Sequence, residues 1–521
     1  MSIPCICAAC RSSLSHTATQ YGPVKTVARH YTRPSFAPKP ILDIKHIRQN
    51  PGLYEQNALD RNYVEHARNG WRILELHEQV VEKQREALEL RRRNNALGKQ
   101  IQQQAGGGDD GRSGGKGAMT ALVEEARRMK EDLQMFERWE NAVKGEMEAL
   151  ALGIPNLSSD DTPRGAEAKL VGYINGEIPS RGAGKSHVDI GKELDILDFE
   201  ASATSSGWGW YFLKNEGALL EQALVQYGLS VAMKKGWKVM TPPSLVYSHI
   251  TSACGFLPRD QNGETQVYQI AGHDEGKHSD GDGKPNLVLA GTAEIPFAAS
   301  QASKTLQSIE LPLKVIGPSR SYRAEAGARG VDTKGLYRVH EFTKVEMFAW
   351  TTPPPSLATD EGDRFGGLDE GEEQSQTATV FEEMLDIQTE ILTSLDLHAK
   401  VLEMPSEDLG ASAARKVDIE AFFPSRTSIN DGYGELTSVS ICTDYQTRRL
   451  GTRLKASGSA GKLSFPYTLN GTAMAVPRVL ACILENHWDD KTGTVTVPVC
   501  LQPFMLGGVK RIGAARQTRN G

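Results

Sequence analysis

Residues 322–346 read YRAEAGARGVDTKGLYRVHEFTKVE, with two strand-like ends around a glycine-rich middle segment. Alternate residues of a strand share one face, so a hairpin can present several charged groups side by side. The charged residues on its two ends are Arg323, Glu325, Arg338, Lys344 and Glu346. A guanidinium grips phosphate or carboxylate, a ring such as that of Phe342 stacks on a base, and a carboxylate holds an amine. The stretch therefore predicts a site for a nucleotide and an amino acid; the alternative is an edge hairpin with salt bridges.

The composition is that of a globular protein with two or three domains. The chain has 521 residues, of which 39% are hydrophobic and 24% charged, and its net charge is −6. This mild charge neither favours nor excludes nucleic acid, because binding depends on local patches. No run of about 18 apolar residues occurs, so we expect no membrane-spanning helix.

Residues 1–40 differ from the rest of the chain in charge. The first acidic residue is Asp43, and five basic residues precede it: Arg11, Lys25, Arg29, Arg33 and Lys39. An Arg- and Ser-rich, acid-poor N-terminus is typical of a mitochondrial transit peptide, so we expect a protein of the mitochondrial matrix. The alternative is a disordered basic tail.

The cysteines favour a reduced protein without disulfides. The spacing of Cys5, Cys7 and Cys10 would suit a metal, but these residues lie inside the predicted transit peptide. The remaining four are scattered, with no CxxC among them: Cys254, Cys442, Cys482 and Cys500. We therefore expect no zinc site.

Residues 41–160 have the pattern of a helical arm. One apolar series recurs every seven residues at Leu122, Met129, Phe136, Val143 and Leu150, and a second one precedes it at Leu74, Val81 and Leu88, followed by Leu90 and Leu97. Heptads of this kind indicate a coiled coil. A Gly-rich turn at 105–118 separates the two series. We therefore predict two antiparallel helices that reach on the order of 60 Å.

Basic residues cluster toward the predicted end of this arm. They are Arg91, Arg92, Arg93, Lys99, Arg112, Lys116, Arg127, Arg128 and Lys130. A run of charge is usually a solvated helix face. At the end of a projecting arm it equally suggests contact with a phosphate backbone.

Residues 161–521 alternate strand-like and helical segments, which predicts an α+β domain built on a mostly antiparallel sheet flanked by helices. Two polar stretches, 271–285 and 352–378, have the composition of surface insertions.

The stretch quoted first resembles motif 2 of class II aminoacyl-tRNA synthetases, and specifically the seryl-tRNA synthetase pattern FRxEAG-x-x-G-x-DT-x-GL-x-RVHQF-x-KVE. Here Glu341 replaces the usual Gln. GWKVMTPPSLV (236–246) is similar to motif 1, the dimer-interface strand, with Pro243 as its proline. The remaining matches, in family order, are the serine-binding TAE loop (292–294), ELTS with CTDYQTRRL (435–438, 442–450) and motif 3, LNGTAMAVPRVLACILEN (469–486). The helical arm is also a family feature, so the resemblance covers nearly everything after residue 40.

The resemblance implies a role for each matching residue. Arg323, Arg478 and Glu435 would carry catalysis, and Glu435 with Ser438 would hold Mg²⁺. The residues implied for ATP are Arg323, Ala324, Glu325, Val339, Phe342, Glu435, Leu436, Thr437, Ser438 and Arg478. Those implied for serine are Thr292, Ala293, Glu294, Arg323, Glu346 and Thr472.

The implied function is the activation of L-serine with ATP and the transfer of serine to tRNA(Ser) by a homodimer. One alternative is a silent paralogue that only binds tRNA or protein partners, but the phosphate-binding arginines are intact. Another is a class II synthetase for threonine or proline; the Cys/His metal set that would favour threonine is not evident.

Three departures from the family pattern stand near the expected site. Thr472 replaces the usual Ser and keeps its hydroxyl, and Pro477 replaces a Gly just before Arg478. The stretch WGWYFL (208–213) lacks an arginine that the family often has there. Since no phosphate-binding arginine is lost, we expect activity to survive.

Overall fold

The computed structural model describes residues 37–106, 115–176, 184–256, 267–270, 286–325, 335–354, 375–456 and 463–513. The predicted transit peptide up to residue 36, most of the predicted Gly-rich turn at 105–118 with Arg112, the insertion 271–285 and most of 352–378 lie outside the described residues. The helices are α1 (Ile44–Gln49), α2 (Pro51–Asp60), α3 (Asn69–Gly106), α4 (Gly115–Gly153), α5 (His187–Glu193), α6 (Glu200–Ser205), α7 (Asn215–Lys234), α8 (Ser248–Ala253), α9 (Glu294–Ala299), α10 (Gln376–Ser394), α11 (Tyr445–Leu450) and α12 (Val476–Asn486).

Most strands are short, and four of them have nine residues or more. The strands are β1 (Lys169–Ile174), β2 (Leu197–Asp198), β3 (Phe212–Leu213), β4 (Lys238–Val239), β5 (Leu245–Tyr247), β6 (Leu287–Leu289), β7 (Thr305–Gln307), β8 (Leu313–Tyr322), β9 (Glu341–Thr351), β10 (Ala399–Glu403), β11 (Arg415–Phe422), β12 (Tyr433–Thr443), β13 (Arg453–Lys455), β14 (Leu463–Ser464), β15 (Tyr467–Ala475), β16 (Trp488–Asp489), β17 (Thr494–Thr496) and β18 (Arg511–Ile512).

The arm consists of α3 and α4, two helices of 38 and 39 residues that pack against each other. The heptads predicted in α4 lie at the contact, where Met129 and Val143 are buried. The register predicted for the first part of α3 is wrong by one residue, whereas Leu97, which was also predicted, is buried. The buried series is Ile73, Val80 and Ala87, whereas the predicted series was Leu74, Val81 and Leu88, of which Leu88 is 46% exposed. Apolar residues occupy both neighbouring positions in each heptad, so only the packing against α4 decides which series is buried.

The base of the arm has its own small core. Ile47 of α1 packs with Ile73 and Leu76 of α3 and with Met147 of α4. Arg449 of α11 donates to the carbonyls of Leu152, in the last turn of α4, and of Ile154, just after it, at 3.3 and 3.1 Å. Carbonyls at the end of a helix have no N–H partner within that helix, so they are free to accept from the buried Arg449 guanidinium. This contact joins the arm to the rest of the molecule.

Eight strands form the main sheet in the order β1-β10-β11-β12-β15-β9-β8-β4. Every neighbouring pair is antiparallel except β4 and β8. Helices α7, α10 and α12 share one hydrophobic core with the sheet. The predicted α+β architecture, a helical arm plus a mostly antiparallel sheet flanked by helices, is therefore confirmed.

The hairpin of the quoted stretch is formed by β8 and β9, paired from Leu313↔Trp350 to Tyr322↔Glu341. The prediction that its charged residues all lie in strands is wrong for three of them, since β8 ends at Tyr322 and β9 begins at Glu341. Glu325 has a φ of 49°, which turns the chain away from the strand. Arg323, Glu325 and Arg338 therefore reach the site from the loop ends.

Candidate active site

A cleft opens where the ends of β8 and β9 meet β12, β15 and the start of α12. Nine of the predicted site residues line it: Arg323, Glu325, Val339, Phe342, Glu435, Leu436, Ser438, Thr472 and Arg478. Pro477 also lines this cleft and is the second residue of α12, where proline is tolerated because the first N–H groups of a helix have no internal partner. Segments far apart in sequence thus meet in one concave site.

Two arginines and one carboxylate form the charged part of the cleft. Arg478 Nη1 donates to Glu435 Oε2 at 3.1 Å and to the Glu435 carbonyl at 2.9 Å. Burial alone would raise the pKa of Glu435, but Lys416, Arg478 and Arg323 outweigh it and hold this pKa at about 2. Burial and the neighbouring Arg478 lower the pKa of Arg323. Two cations this close favour a polyanionic ligand such as a triphosphate.

The aromatic part of the cleft is Phe342 of β9. Its ring lies under the Arg323 guanidinium, whose central carbon is 5.2 Å from the ring centroid. Glu325 pairs with Arg338 at 3.4 Å, and both line the cleft with the neighbouring Val339. A planar base can stack here on the Phe342 ring or on the Arg323 guanidinium.

Glu346 lies beneath the cleft and is fully buried. Lys344 Nζ is 2.6 Å from Glu346 Oε2, and the Thr472 hydroxyl donates to the same oxygen at 3.4 Å. Burial raises the pKa of Glu346, and Lys344 opposes this rise. The other oxygen, Oε1, is buried without a hydrogen-bond partner. Such an atom is costly to bury, so it is suited to receive a donor from a ligand.

A second buried carboxylate, Glu294, begins α9. Its oxygens accept from Gln446 Nε2 at 2.6 Å and from Asn470 Nδ2 at 3.2 Å. Burial, and then the charge of Glu346, raises the pKa of Glu294 to about 8. Two carboxylates in one buried site cannot both ionise freely unless a cation joins them.

The remaining predicted residues are placed differently. Thr292 and Ala293 are buried at the start of α9, beside Glu294 but outside the cleft lining. Ala324 also lies outside the lining, and Thr437 donates its hydroxyl to the Thr472 carbonyl. A role in ligand binding for Ala324 or Thr437 would therefore involve the backbone.

Sequence reasoning assigned no role to several residues that the structure brings into the site. Lys344 was noted for its charge only, although its position two residues before Glu346 on the same strand predicts a shared face. Tyr337 lines the cleft and contacts both Arg478 and Glu435. Asn470 and Gln446 hold Glu294, and only the folded structure brings these three side chains together.

The oxygen donors of Glu435 and Ser438 line the same cleft and fit a hard divalent cation. The low pKa of Glu435 keeps that carboxylate ionised. Within the described ranges, no group of three or more His, Cys, Asp or Glu residues could hold a metal by itself. A Mg²⁺ ion that brings its own phosphate ligands is compatible with a protein site of this kind, because Mg²⁺ is usually held by one or two protein groups plus substrate phosphates.

A larger cavity lies elsewhere, between the base of the arm and the sheet. Three arginines line it, but Arg415 is engaged by Glu403 at 2.9 Å, Arg448 by Asp444 at 2.6 Å, and Arg449 by the carbonyls of Leu152 and Ile154. The cleft at β8 and β9 is the better candidate because its cations, ring and carboxylates converge.

Two family models match the chain. The seryl-tRNA synthetase N-terminal domain matches residues 41–158, and the class II tRNA synthetase core domain (G, H, P, S and T) matches residues 277–363 and 369–487. The mitochondrial serine–tRNA ligase of Schizosaccharomyces pombe is 36% identical over 92% of this chain and 92% of its own length. That of Saccharomyces cerevisiae is 45% identical over 62% of this chain, an alignment that spans 64% of the yeast protein.

Solved structures agree in fold with the chain. The seryl-tRNA synthetase of Pyrococcus horikoshii, complexed with ATP, has a TM-score of 0.75 at 28% identity and covers 91% of this chain and 99% of its own. The cytoplasmic serine–tRNA ligase of Naegleria fowleri, in complex with AMP, has a TM-score of 0.70 at 26% identity and covers 91% and 98%. Because the helical N-terminal domain and the class II core both match, over nearly the whole length of such relatives, the chain belongs to the seryl-tRNA synthetase family.

Proposed function

We propose that the protein activates L-serine with ATP to form seryl-adenylate and transfers the serine to the 3′ end of tRNA(Ser) in mitochondria. As a member of the seryl-tRNA synthetase family, it is an aminoacyl-tRNA ligase. The observation that carries the proposal is the convergence of Arg323, Arg478 and Phe342 above the buried pair Lys344–Glu346. A nucleotide triphosphate and a small amino acid fit this combination of groups.

In the proposed first step, a carboxylate oxygen of serine attacks the α-phosphorus of ATP and pyrophosphate leaves from the opposite side. The nucleophile is already ionised, so the step needs no general base. Catalysis rests on positioning and on the neutralisation of charge at the phosphates by Arg323 and Arg478. Phe342 and Arg478 would hold the adenine between them.

Serine would be selected by hydrogen bonding around its amine and hydroxyl. The open oxygen of Glu346 suits the ammonium group, and the Thr472 hydroxyl, 3.4 Å from the same carboxylate, suits the serine hydroxyl. Alanine would leave these buried polar groups unpaired, which a site of this kind penalises strongly. Thr292 and Glu294 complete the same region in this proposal.

Glu435 and Ser438 would hold Mg²⁺ together with the phosphate oxygens of ATP. When bound, the ion would supply further neutralisation of the developing charge on the phosphates. The Arg478–Glu435 contact places that carboxylate beside the arginine that would receive the terminal phosphate.

In the second step, a ribose hydroxyl at the 3′ end of the tRNA attacks the seryl carbonyl and AMP leaves. The arm would bind the body of the tRNA. Its arginines at positions 91, 92 and 93 are exposed, and their ion pairs with glutamates are of the weak surface type that phosphates can replace. We propose a homodimer in which the arm of one subunit serves the active site of the other.

We propose the mitochondrial matrix as the location. The acid-poor N-terminus supports it, as do the two yeast relatives named as mitochondrial. Among the described residues, no helix has both the length and the apolarity to cross a membrane.

The proposal is tested by ATP–pyrophosphate exchange with a panel of amino acids. The protein used begins at Thr32, because Arg29-His30-Tyr31-Thr32 resembles a presequence processing site with Arg three residues before the cut. We expect exchange with serine and none with threonine, alanine or proline. Exchange with threonine or proline in place of serine would mean another class II specificity. A folded protein that exchanges with no amino acid would instead be a tRNA-binding paralogue.

A further inference from the structure

We propose that Tyr337 is a positioning residue that holds Arg478 and Glu435 in the geometry that binds ATP, and that Gly434 is present to make room for it. The inference rests on the proposed function. The family pattern quoted above leaves the position between Leu336 and Arg338 open, so the sequence alone assigned Tyr337 no role.

Tyr337 holds the two residues through two separate atoms. Its hydroxyl accepts the backbone N–H of Glu435 at 2.9 Å. Its carbonyl accepts Arg478 Nε at 2.9 Å, while Nη1 of the same guanidinium reaches the Glu435 carbonyl at 2.9 Å. One tyrosine therefore fixes the backbone that carries the carboxylate and the edge of the guanidinium that faces it.

The ring of Tyr337 adds a third contact. The central guanidinium carbons of Arg478 and Arg426 lie 4.5 and 4.0 Å from its centroid, and Phe423 meets it edge-on at 5.8 Å. Cation–π contacts of this kind gain strength when they are desolvated. The ring thus supports the flat face of Arg478, whose planar group must present its remaining donors to phosphate.

Gly434 leaves the space that the ring occupies. A Cβ atom at Gly434 would lie 2.6 Å from Cε2, 2.7 Å from the hydroxyl oxygen and 2.9 Å from Cζ of Tyr337. Gly434 is not among the glycines with positive φ, so its backbone would accept alanine. The constraint at this position is therefore the ring of Tyr337.

The backbone before Tyr337 is also anchored. Leu336 N–H donates to His187 Nε2 at 3.0 Å, and the other ring nitrogen of His187 lies 2.7 Å from Glu485 Oε1. His187 and Glu485 are both buried. An anchored backbone lets the tyrosine resist displacement of Arg478 when the phosphates arrive.

The test compares Tyr337→Phe, Tyr337→Leu, Gly434→Ala and the double variant Tyr337→Leu/Gly434→Ala. The readouts are the KM values for ATP and for serine in pyrophosphate exchange, and the binding of ATP alone by calorimetry. Loss of the hydroxyl leaves the partly buried N–H of Glu435 without this partner, so we expect Y337F to raise the ATP KM and weaken ATP binding about tenfold. The serine KM should stay within about twofold of the wild type, because other segments form that part of the site.

The double variant tests directly whether the effect of Gly434→Ala on ATP binding depends on the ring of Tyr337. We expect G434A to weaken ATP binding about tenfold or more when Tyr337 is present, because the ring must move. Leucine at position 337 lacks the three atoms that meet the new Cβ, so adding G434A to Y337L should change ATP binding by less than about twofold. The inference would be overturned if the two substitutions weakened ATP binding independently. The factor for the double variant would then equal the product of the factors for Y337L and G434A.

Tyr227→Phe is the matched control. It also removes a tyrosine hydroxyl contact, at 2.5 Å from Ser394 Oγ, but neither residue lines the cleft. We expect it to leave both KM values unchanged. Equal effects of Y227F and Y337F on thermal stability, with no change in ATP binding for either, would make Tyr337 merely structural. Wild-type protein that binds ATP but shows no serine-dependent exchange would count against the proposed function, while the binding comparison would still test this inference.

Discussion

The arm and the candidate active-site cleft contain the same kinds of ion pair in opposite environments. In the arm, Arg127 and Glu131 pair with side chains that are 79% and 59% exposed. In the cleft, Lys344 and Glu346 pair with side chains that are 9% and 0% exposed. Exposed pairs contribute little and exchange partners readily, whereas a buried charge that loses its partner is costly. The arm is therefore suited to transient contact with a large polyanion, and the cleft to fixed positioning of a small substrate.

The largest effect is expected from Arg323→Ala. Removal of a half-buried cation that would face the phosphates in the proposed function should lower serine-dependent exchange by about 1000-fold, since transition-state charge loses its partner. Arg320→Ala is the control: Arg320 lies three residues earlier, is half exposed and is outside the cleft. If R323A retained more than about a tenth of wild-type exchange, the cleft would not be the site of activation.

The arm can be removed without its base. Gln84 Nε2 donates to Glu140 Oε1 at 2.8 Å, so residues 84 and 140 face each other and a short Gly-Ser linker can replace 85–139. We expect exchange within about twofold of the wild type and a loss of tRNA charging of about 100-fold, because in the proposed function only charging uses the arm. If exchange and tRNA charging fell together in a shortened-arm variant with an unchanged melting temperature, the arm and the cleft would not have the separate roles proposed for them.

The pKa of Glu294, about 8, predicts a pH dependence. The carboxyl is protonated at neutral pH, and the ammonium group of serine favours its ionised form, so kcat/KM for serine should rise several-fold from pH 6.5 to 8.5. Glu294→Gln should flatten this rise, whereas Glu131→Gln in the arm should leave it unchanged. An unchanged profile in E294Q would exclude Glu294 as its source.

The Glu294 carboxyl also makes the free energy of unfolding depend on pH. This dependence is opposite in direction to that of kcat/KM. Its folded pKa lies above the ordinary value of 4.5, so the folded state binds the proton more tightly. The stabilisation is complete below about pH 4.5 and is lost as the pH rises toward 8. In E294Q the free energy of unfolding should depend less on pH across this range, as measured by urea unfolding.

The exposed arginines of the arm are expected to affect tRNA binding but not stability. Replacing Arg91, Arg92 and Arg93 by alanine should weaken tRNA binding about tenfold and make the binding less sensitive to salt. The free energy of unfolding should change by less than about 1 kcal/mol, because their ion pairs are exposed. Arg72→Ala, at the base of the arm, should bind tRNA like the wild type. Equal weakening by both variants would mean that tRNA contacts are not concentrated toward the tip.

The motifs in the sequence predicted the family and the fold, and both are confirmed. They could not give the register of α3, because Ile73 and Leu74 are both apolar and only α4 selects between them. They also could not give Tyr337 a role, since its partners lie 98 and 141 positions away in the chain.

The sequence by itself determined which chemical groups the protein carries: the arginines, carboxylates and ring of motifs 2 and 3, and the heptads of a long arm. Local patterns suffice for these because charge, hydroxyl and periodicity are properties of the residues. Only the tertiary structure decided that Lys344 forms an ion pair with Glu346 and that Glu294 has a pKa of about 8. It also decided that a Cβ atom at position 434 would clash with the ring of Tyr337. Each of these depends on burial and on distances between separate strands, which no local pattern contains.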